Sequence, residues 1–457
     1  MARAVRGYRC RECGWQTVAY VGRCGECQAW NSLEQFADGA RASVGPLAKR
    51  PVTAVPAATL SLADVPDEPG RRFVTEIPEL DRVLGGGVVP GSLVLVGGDP
   101  GIGKSTLMLQ AAARMAAKGL VVGYVCGEES PRQVRMRASR LGIAGNGINL
   151  IPETSLDSAL AAAEGLGVSA LIIDSIQSVY VDGLESRSGG PAQLSEAGAR
   201  LVGWAKGNEI ATIVTGHVTK GGEIAGPRLL EHLVDAVLYF ESGEGGSLRV
   251  LRAVKNRFGA TDEVGVFEMT GEGLRSVENP SAAFLEAHDP EASGCAVTAL
   301  IEGSRPLAIE VQALAVPSPL AAPRRIASGL EVSRLHLLLA VLARRGGIVA
   351  GNLDVVATVS GGMRLRDPSA DLAILVALVS AVRDQPLDRG TAFLGEVALS
   401  GSIRPVQQSQ RRLLELGRLG FGRCLAPAST SPVEGIELIP VRSVKEALRM
   451  ALAGGRG

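Results

Sequence analysis

The chain carries no surplus charge of either sign, since Lys and Arg together number 47 and so do Asp and Glu. A molecule basic all over is thereby excluded, and any surface that meets nucleic acid must come from local clustering. No stretch reaches about 18 uncharged apolar residues, and no apolar run near the start leads into a small-residue cleavage site. A membrane-spanning helix and a secretory leader are therefore not expected, and a cytoplasmic protein is. There is no fixed-period repeat, so a solenoid or propeller array is not expected either. Outside the first 27 residues only Cys126, Cys295 and Cys424 remain, too few for a disulfide framework; they read as ordinary buried thiols.

What is present begins with the other four cysteines. Cys10-x2-Cys13 and Cys24-x2-Cys27 are two thiol knuckles separated by ten residues, a spacing that lets four thiolates close a tetrahedron on Zn2+. Arg3, Arg6, Arg9, Arg11 and Arg23 surround them, with Tyr8, Trp15, Tyr20 and Trp30 interleaved as stacking surfaces. Such a module either meets DNA or protein through this patch, or is a structural ribbon that needs metal to fold. It is assigned residues 1–31. Residues 32–59 form a linker, because from about 37 the composition turns to Ala, Pro, Val and Ser without any period.

At 457 residues and 46% hydrophobic content the chain exceeds what one core organises. Over residues 60–285 short β-branched runs alternate with longer helical patterns, as βαβ units around a mostly parallel sheet do. Strands are expected over 92–97, 120–126, 170–174, 211–215, 236–240 and 247–254. A second α/β domain, 286–457, has strands over 296–301 and 307–316 and apolar helices over 333–345 and 370–382. The fold class is α/β.

Gly98, Asp99, Pro100, Gly101, Ile102, Gly103, Lys104 and Ser105 fit the phosphate-binding loop G-x-x-x-x-G-K-[ST], between an apolar strand and a helical segment that starts at Thr106. The glycines let backbone N–H groups curl round the phosphates of ATP, Lys104 charges the β- and γ-phosphates, and Ser105 supplies a hydroxyl to Mg2+. Asp174 ends the apolar strand 170–174, where an acid holds magnesium through water. An Asp ending a buried strand also occurs without a metal, and it is the loop that gives this one its role. Water must be oriented or deprotonated, and Glu128 or Glu129, just past the strand 120–126, is placed to do so; Glu128 is preferred, and a solvated acidic helix start is the plainer alternative.

Leu80-Asp81-Arg82-Val83-Leu84-Gly85-Gly86-Gly87, then Pro90-Gly91-Ser92, resembles the segment leading into the phosphate loop of RecA-fold recombinases and hexameric DnaB-type helicases. Gly127-Glu128-Glu129-Ser130, Asp174-Ser175-Ile176-Gln177, Gly216-His217-Val218-Thr219-Lys220, Ala225-Gly226-Pro227 with Leu230-Glu231-His232, and Lys255-Asn256-Arg257-Phe258-Gly259 follow in the order of the bacterial DNA repair family RadA (Sms), and with the four-cysteine head the resemblance covers essentially the whole chain.

The resemblance implies a RecA-like ATPase core with a zinc finger in front and a Lon-protease-like domain behind. It implies a homohexameric ring that binds single-stranded and branched DNA, works with RecA recombinase near the nucleoid, and drives branch migration. It further implies that Lys255 and Arg257 reach the neighbouring subunit's ATP, and that His217 senses the γ-phosphate. It makes 183–191, with Arg187, and 220–228 the loops facing DNA.

From about His288 onward the chain resembles the proteolytic domain of Lon, notably at Asp367-Pro368-Ser369-Ala370-Asp371 and Gly395-Glu396-Val397-Ala398-Leu399-Ser400-Gly401. Ser369 falls where Lon has its nucleophile. The place of the lysine base falls on Gln410, which takes no proton, and the guanidinium groups of Arg411 and Arg412 do not substitute for it. Asp371 also stands where Lon has Gly. The tail therefore reads as a proteolytically inactive scaffold that offers Arg324, Arg325, Arg344, Arg345, Arg364 and Arg366 to DNA. A nucleotide-switched assembly platform that does not translocate, and an active Lon-like protease, are the competing readings.

Overall fold

The computed structural model describes residues 6–11, 16–17, 21–27, 29–30, 32–37, 61, 71–217, 230–242, 247–261, 263–286, 288–289 and 291–453. The chain divides into two compact units, Met1–Glu68 and Pro69–Gly457.

In the first unit β1 (Arg6–Cys10) pairs antiparallel with β2 (Gln16–Thr17) on one side and with β3 (Leu33–Ala37) on the other. The strand Leu33–Ala37 lies in the stretch expected to be linker, so the small sheet runs past residue 31. Among the described residues, Cys10, Cys24 and Leu33 form its buried core.

The second unit holds two large sheets. The first joins β4 (Leu93–Gly98), β5 (Val122–Cys126), β6 (Ile148–Ile151), β7 (Ala170–Asp174), β8 (Ala211–His217), β9 (Ala236–Ser242), β10 (Leu248–Asn256), β11 (Val264–Thr270) and β12 (Gly273–Ser276) in the order β12-β11-β10-β9-β4-β8-β7-β5-β6. The six strands from β9 to β6 run parallel and the last three fold back antiparallel. Strands β4, β5 and β7 are buried along their whole length, because helices cover both faces of the sheet. Lys104–Ala117 and Pro131–Arg140 pack on one face, Leu156–Leu166 and Pro191–Asn208 on the other. Local signals set the helix starts: Ser130 and Gln133 form a reciprocal capping box, and Ser155 accepts from Ser158 N.

The second sheet comprises β13 (Cys295–Glu302), β14 (Arg305–Pro317), β15 (Arg325–Ser328), β16 (Leu353–Val359), β17 (Thr391–Phe393), β20 (Arg423–Pro427) and β21 (Glu437–Val441); β18 (Glu396–Val397) and β19 (Ile403–Arg404) pair separately. The boundary expected at 285/286 falls between two sheets of one unit. Val250, Val264 and Val266 of the first sheet share a core with Leu300, Leu307 and Ile309 of the second.

Candidate active site

The C-terminal ends of the parallel strands share one edge, and the register decides which residues meet there. Gly98 pairs with His217 across β4 and β8, and Cys126 with Asp174 across β5 and β7. Open parallel sheets bind ligands at this edge.

The phosphate loop turns here. Gly98 has φ 153° and Gly103 φ 119°. A Cβ on Gly98 would lie 2.9 Å from Phe240 Cβ, and one on Gly103 2.8 Å from Met269 Cε, so the cradle closes only with glycine at both positions. Lys104 is 4% exposed. Its Nζ donates to Gly98 O at 2.8 Å and Asp99 O at 3.0 Å and lies 3.2 Å from His217 Nδ1. Burial lowers its ammonium pKa from the ordinary lysine value, and the charges of Asp174, Glu128 and Asp99 oppose that shift. Ser105 and Thr106 are half-buried on the first turn of the helix.

Asp174 is buried and held by two neutral donors. Tyr124 OH donates to Oδ2 at 2.8 Å and Thr215 Oγ1 to Oδ1 at 2.6 Å. Burial first, and Asp174 second, push the Tyr124 phenol well above its ordinary pKa, so it remains a donor. The two candidate acids after β5 have different surroundings. Glu129 is ion-paired to Arg137. Glu128 accepts from Ser175 Oγ and lies 3.1 Å from His217 Nε2. Lys104 has only donors to offer Nδ1, and Glu128 has acceptors to offer Nε2. His217 therefore bridges the lysine of the phosphate loop and the acid opposite. Tyr124 and Thr215 are site residues that the sequence did not single out; both are core-type side chains on strands, and only the register puts them beside Asp174.

Lys255 and Arg257 lie elsewhere. Asn256 pairs with Ala236, and Ala236 with Val94, whereas Gly98 pairs with Phe240. The basic pair thus sits where β4 begins, four residues before the phosphate loop on that strand, or about 13 Å at about 3.3 Å per residue, with two strand spacings added. Lys255 Nζ donates to the carbonyls of Glu231 at 2.7 Å, His232 at 3.3 Å and Val234 at 2.8 Å. Burial and then the charge of Arg257 lower its pKa. Arg257 is different: its side chain is 56% exposed, with Asp235 3.8 Å away.

Of the two loops expected to face DNA, 220–228 lies outside the described residues. In the other, residues 183–190 are largely exposed but organised from below: the buried Gln193 donates to Val181 O, Leu184 O and Ser186 O and accepts from Val181 N at 2.7 Å.

In the first unit the Sγ atoms of Cys10, Cys24 and Cys27 lie within 4.8 Å of one another, Cys10 and Cys27 3.6 Å apart. Zn–S bonds of about 2.3 Å in a tetrahedron put sulfurs about 3.8 Å apart, so these thiolates fit zinc. Cys13, the fourth expected ligand, lies outside the described residues. Trp30 is 71% exposed with the Arg23 guanidinium 5.6 Å from its ring centroid.

In the Lon-like region Ser369 is buried, and the side chain that reaches it is Arg412, whose Nη1 donates to Ser369 Oγ at 2.8 Å and to Ala299 O at 2.7 Å. Arg412 Nη2 donates to Asp367 Oδ2 at 2.6 Å. Gln410 is exposed. The group on the serine is thus a guanidinium that takes no proton, engaged also by Ala299, Asp367 and Gln407, where a lysine base was looked for. Asp371 is buried in a two-pronged pair with Arg334, Nε to Oδ1 at 2.7 Å, and accepts from Val397 N at 3.0 Å. Of the six arginines expected to be offered to DNA, Arg325 instead spends its guanidinium on the carbonyls of Arg324, Leu353 and Ala350. Cys126 and Cys424 are buried; Cys295 is half-buried, not buried as expected.

Three families match separate stretches of the chain. Residues 8–35 match the family described as rubredoxin metal binding domain, 59–223 the AAA domain, and 353–454 the Lon protease (S16) C-terminal proteolytic domain. The DNA repair protein RadA of Pseudomonas aeruginosa is 47% identical over 453 residues, covering 98% of this chain and 99% of that one. Its counterpart in Bacillus subtilis is 43% identical over 462 residues, 99% and 100% of the two chains. Among solved structures, a KaiC-like protein from Pyrococcus horikoshii OT3 matches 46% of this chain and 100% of its own at TM-score 0.39 and 23% identity.

Proposed function

The chain belongs to the family of the DNA repair protein RadA, and from that premise we propose that it is a DNA-dependent ATPase that assembles as a homohexameric ring, binds single-stranded and branched DNA, and drives branch migration of recombination intermediates alongside RecA recombinase in the bacterial cytoplasm. One observation carries this reading. The phosphate cradle and Arg257 lie at opposite ends of β4 and its neighbours, too far apart for a subunit's own arginine to serve its own ATP, which suits an arginine donated by a neighbour.

In the bound state Lys104 exchanges the carbonyls of Gly98 and Asp99 for the β- and γ-phosphates. Glu128 orients the attacking water, and Arg257 from the adjacent subunit neutralises charge that develops on the γ-phosphoryl group. The Ser105 hydroxyl and, through water, Asp174 are suited to hold magnesium, which would supply electrostatic stabilisation of the transferring phosphoryl group. His217 touches both Lys104 and Glu128 and ends the strand that leads straight into 218–229, so a change at the γ-phosphate is passed to the segment expected to face DNA.

Purified protein should hydrolyse ATP faster with single-stranded DNA and move a branched junction only while hydrolysing. Lys104→Ala should abolish both. Stimulated hydrolysis without junction movement would favour the platform that does not translocate; indifference to nucleotide, with or without DNA, would end the proposal altogether. Casein digestion that vanishes in Ser369→Ala is the result that would restore a protease.

A further inference from the structure

β10 carries the basic pair at its end, and its other contacts tie it to the second sheet. Midway along β10, the buried Arg252 is ion-paired to Glu302, the last residue of β13, with Glu241 of β9 3.8 Å away. The next residue, Ala253, donates its N–H to Glu263 O at 2.9 Å, and Glu263 Oε1 accepts from Ser304 N at 2.8 Å, in the turn between β13 and β14. Arg305, the first residue of β14, grips Glu79 with Nη1 at 2.9 and 3.0 Å from its two oxygens. Glu79 lies on the helix Pro78–Leu84, and Val83 O of that helix accepts from Asn256 Nδ2 at 3.2 Å, within the basic motif itself. Three of the four residues from 302 to 305 thus hold β10, the residue that leads into β11 and the helix against which the motif is pinned.

Between Ala253 and Lys255 the register of β10 against β9 shifts, and Val254 is thrown out to 46% exposure. A bulge of this kind re-aims the side chains that follow it. The direction of Arg257 therefore depends on a register break whose two sides are clamped: Arg252 and Ala253 through Glu302, Glu263 and Ser304, and Asn256 through Val83 and the helix that Arg305 holds by Glu79.

We propose that the β13–β14 turn, through Glu302 and Arg305, positions Arg257 for the neighbouring subunit, so that the proteolytically inactive second domain sets the turnover of the first. The proposal rests on the interfacial role of Arg257 proposed above. Glu302 and Arg305 are positioning residues: Glu302 acts through Arg252, which is level with Gly97 two strands away, and Arg305 through Glu79, and neither belongs to the phosphate loop.

The test is a double-mutant cycle on full-length, DNA-stimulated protein. Glu302→Gln should lower kcat for ATP by about ten- to a hundredfold, the scale of a misplacement of about 1 Å, with KM for ATP, single-stranded DNA affinity and ring size unchanged. In an Arg257→Ala background the same change should cost nothing more, because the group it positions is gone. Arg305→Lys, which keeps a cation for Glu79 but loses the double grip, should show a smaller loss of the same kind and is scored alone by the same criteria if Glu302→Gln does not fold. Losses that multiply with Arg257→Ala, or that appear in KM, or no loss in either variant while Arg257→Ala is inactive, overturn the positioning role. Full turnover in Arg257→Ala itself overturns the interfacial reading instead.

Discussion

Lys255 and Arg257 are two residues apart, yet their surroundings separate their roles. The lysine is committed to three carbonyls of 231–234, whereas the arginine is more than half exposed. Arg257→Ala should leave the melting temperature and ATP binding intact while lowering turnover by about a thousandfold, in the range of an arginine supplied across an interface. Lys255→Ala should instead destabilise by about 1–3 kcal/mol, since the carbonyls it satisfies lose their donor. Thermal melts of the two variants side by side decide the matter, and equal melting temperatures would contradict the division. The thiols offer a second contrast. Burial pushes Cys424 up to about 12, and burial with Glu310 beside it pushes Cys295 up to about 12, so neither is a thiolate at pH 8. Iodoacetamide on the native protein should leave both unmodified, which peptide mass mapping reads directly. Lys104 and Asp174 were legible because their chemistry announces itself in a local pattern. His217 as a bridge was not, because it depends on β8 lying beside β4, and neither was the arrival of Arg412 at Ser369, which depends on how the helix Ser409–Arg418 is turned.

Among the elements, five of the six parallel strands could be located to within one or two residues from their β-branched runs, since strands buried on both faces read as apolar blocks; β6, half-buried at the end of the sheet, was missed. Their order in the sheet could not, and it is the order that separates the phosphate loop from the basic pair. The loop itself tolerates no side chain where it passes β9. Gly98→Ala would press a Cβ on Phe240 and should cost about 1–3 kcal/mol together with nucleotide binding, measured by denaturant titration and by binding of a fluorescent ATP analogue. In the second sheet, Asp371 breaks the likeness to Lon for a structural reason: it is clasped by Arg334, 37 residues away in sequence. Arg334→Met strands a buried carboxylate and should destabilise by about 2–4 kcal/mol, discounted because Arg334 is partly exposed, while Arg334→Met with Asp371→Leu should recover much of it. A double variant no more stable than the single one would place the cost elsewhere.

At the scale of the molecule, the first unit gathers three cysteines where zinc fits, and the second is built on a core that runs through both of its sheets. Metal analysis should find about one zinc per chain, lost in Cys24→Ser; unchanged content in that variant would remove Cys24 from the ligand set. The two α/β halves were readable as separate patterns, but the valines of β10 and β11 that bind them into one core are indistinguishable in sequence from any other buried strand. The placement of cradle and arginine at opposite sheet edges has a last consequence for the proposed ring. A chain built this way is directional, with a socket at one end and a plug at the other, and head-to-tail stacking offers each socket the next subunit's plug. A closed circle uses every plug. Lone subunits would hold fuel without burning it, and specific activity should climb steeply with protein concentration until circles close.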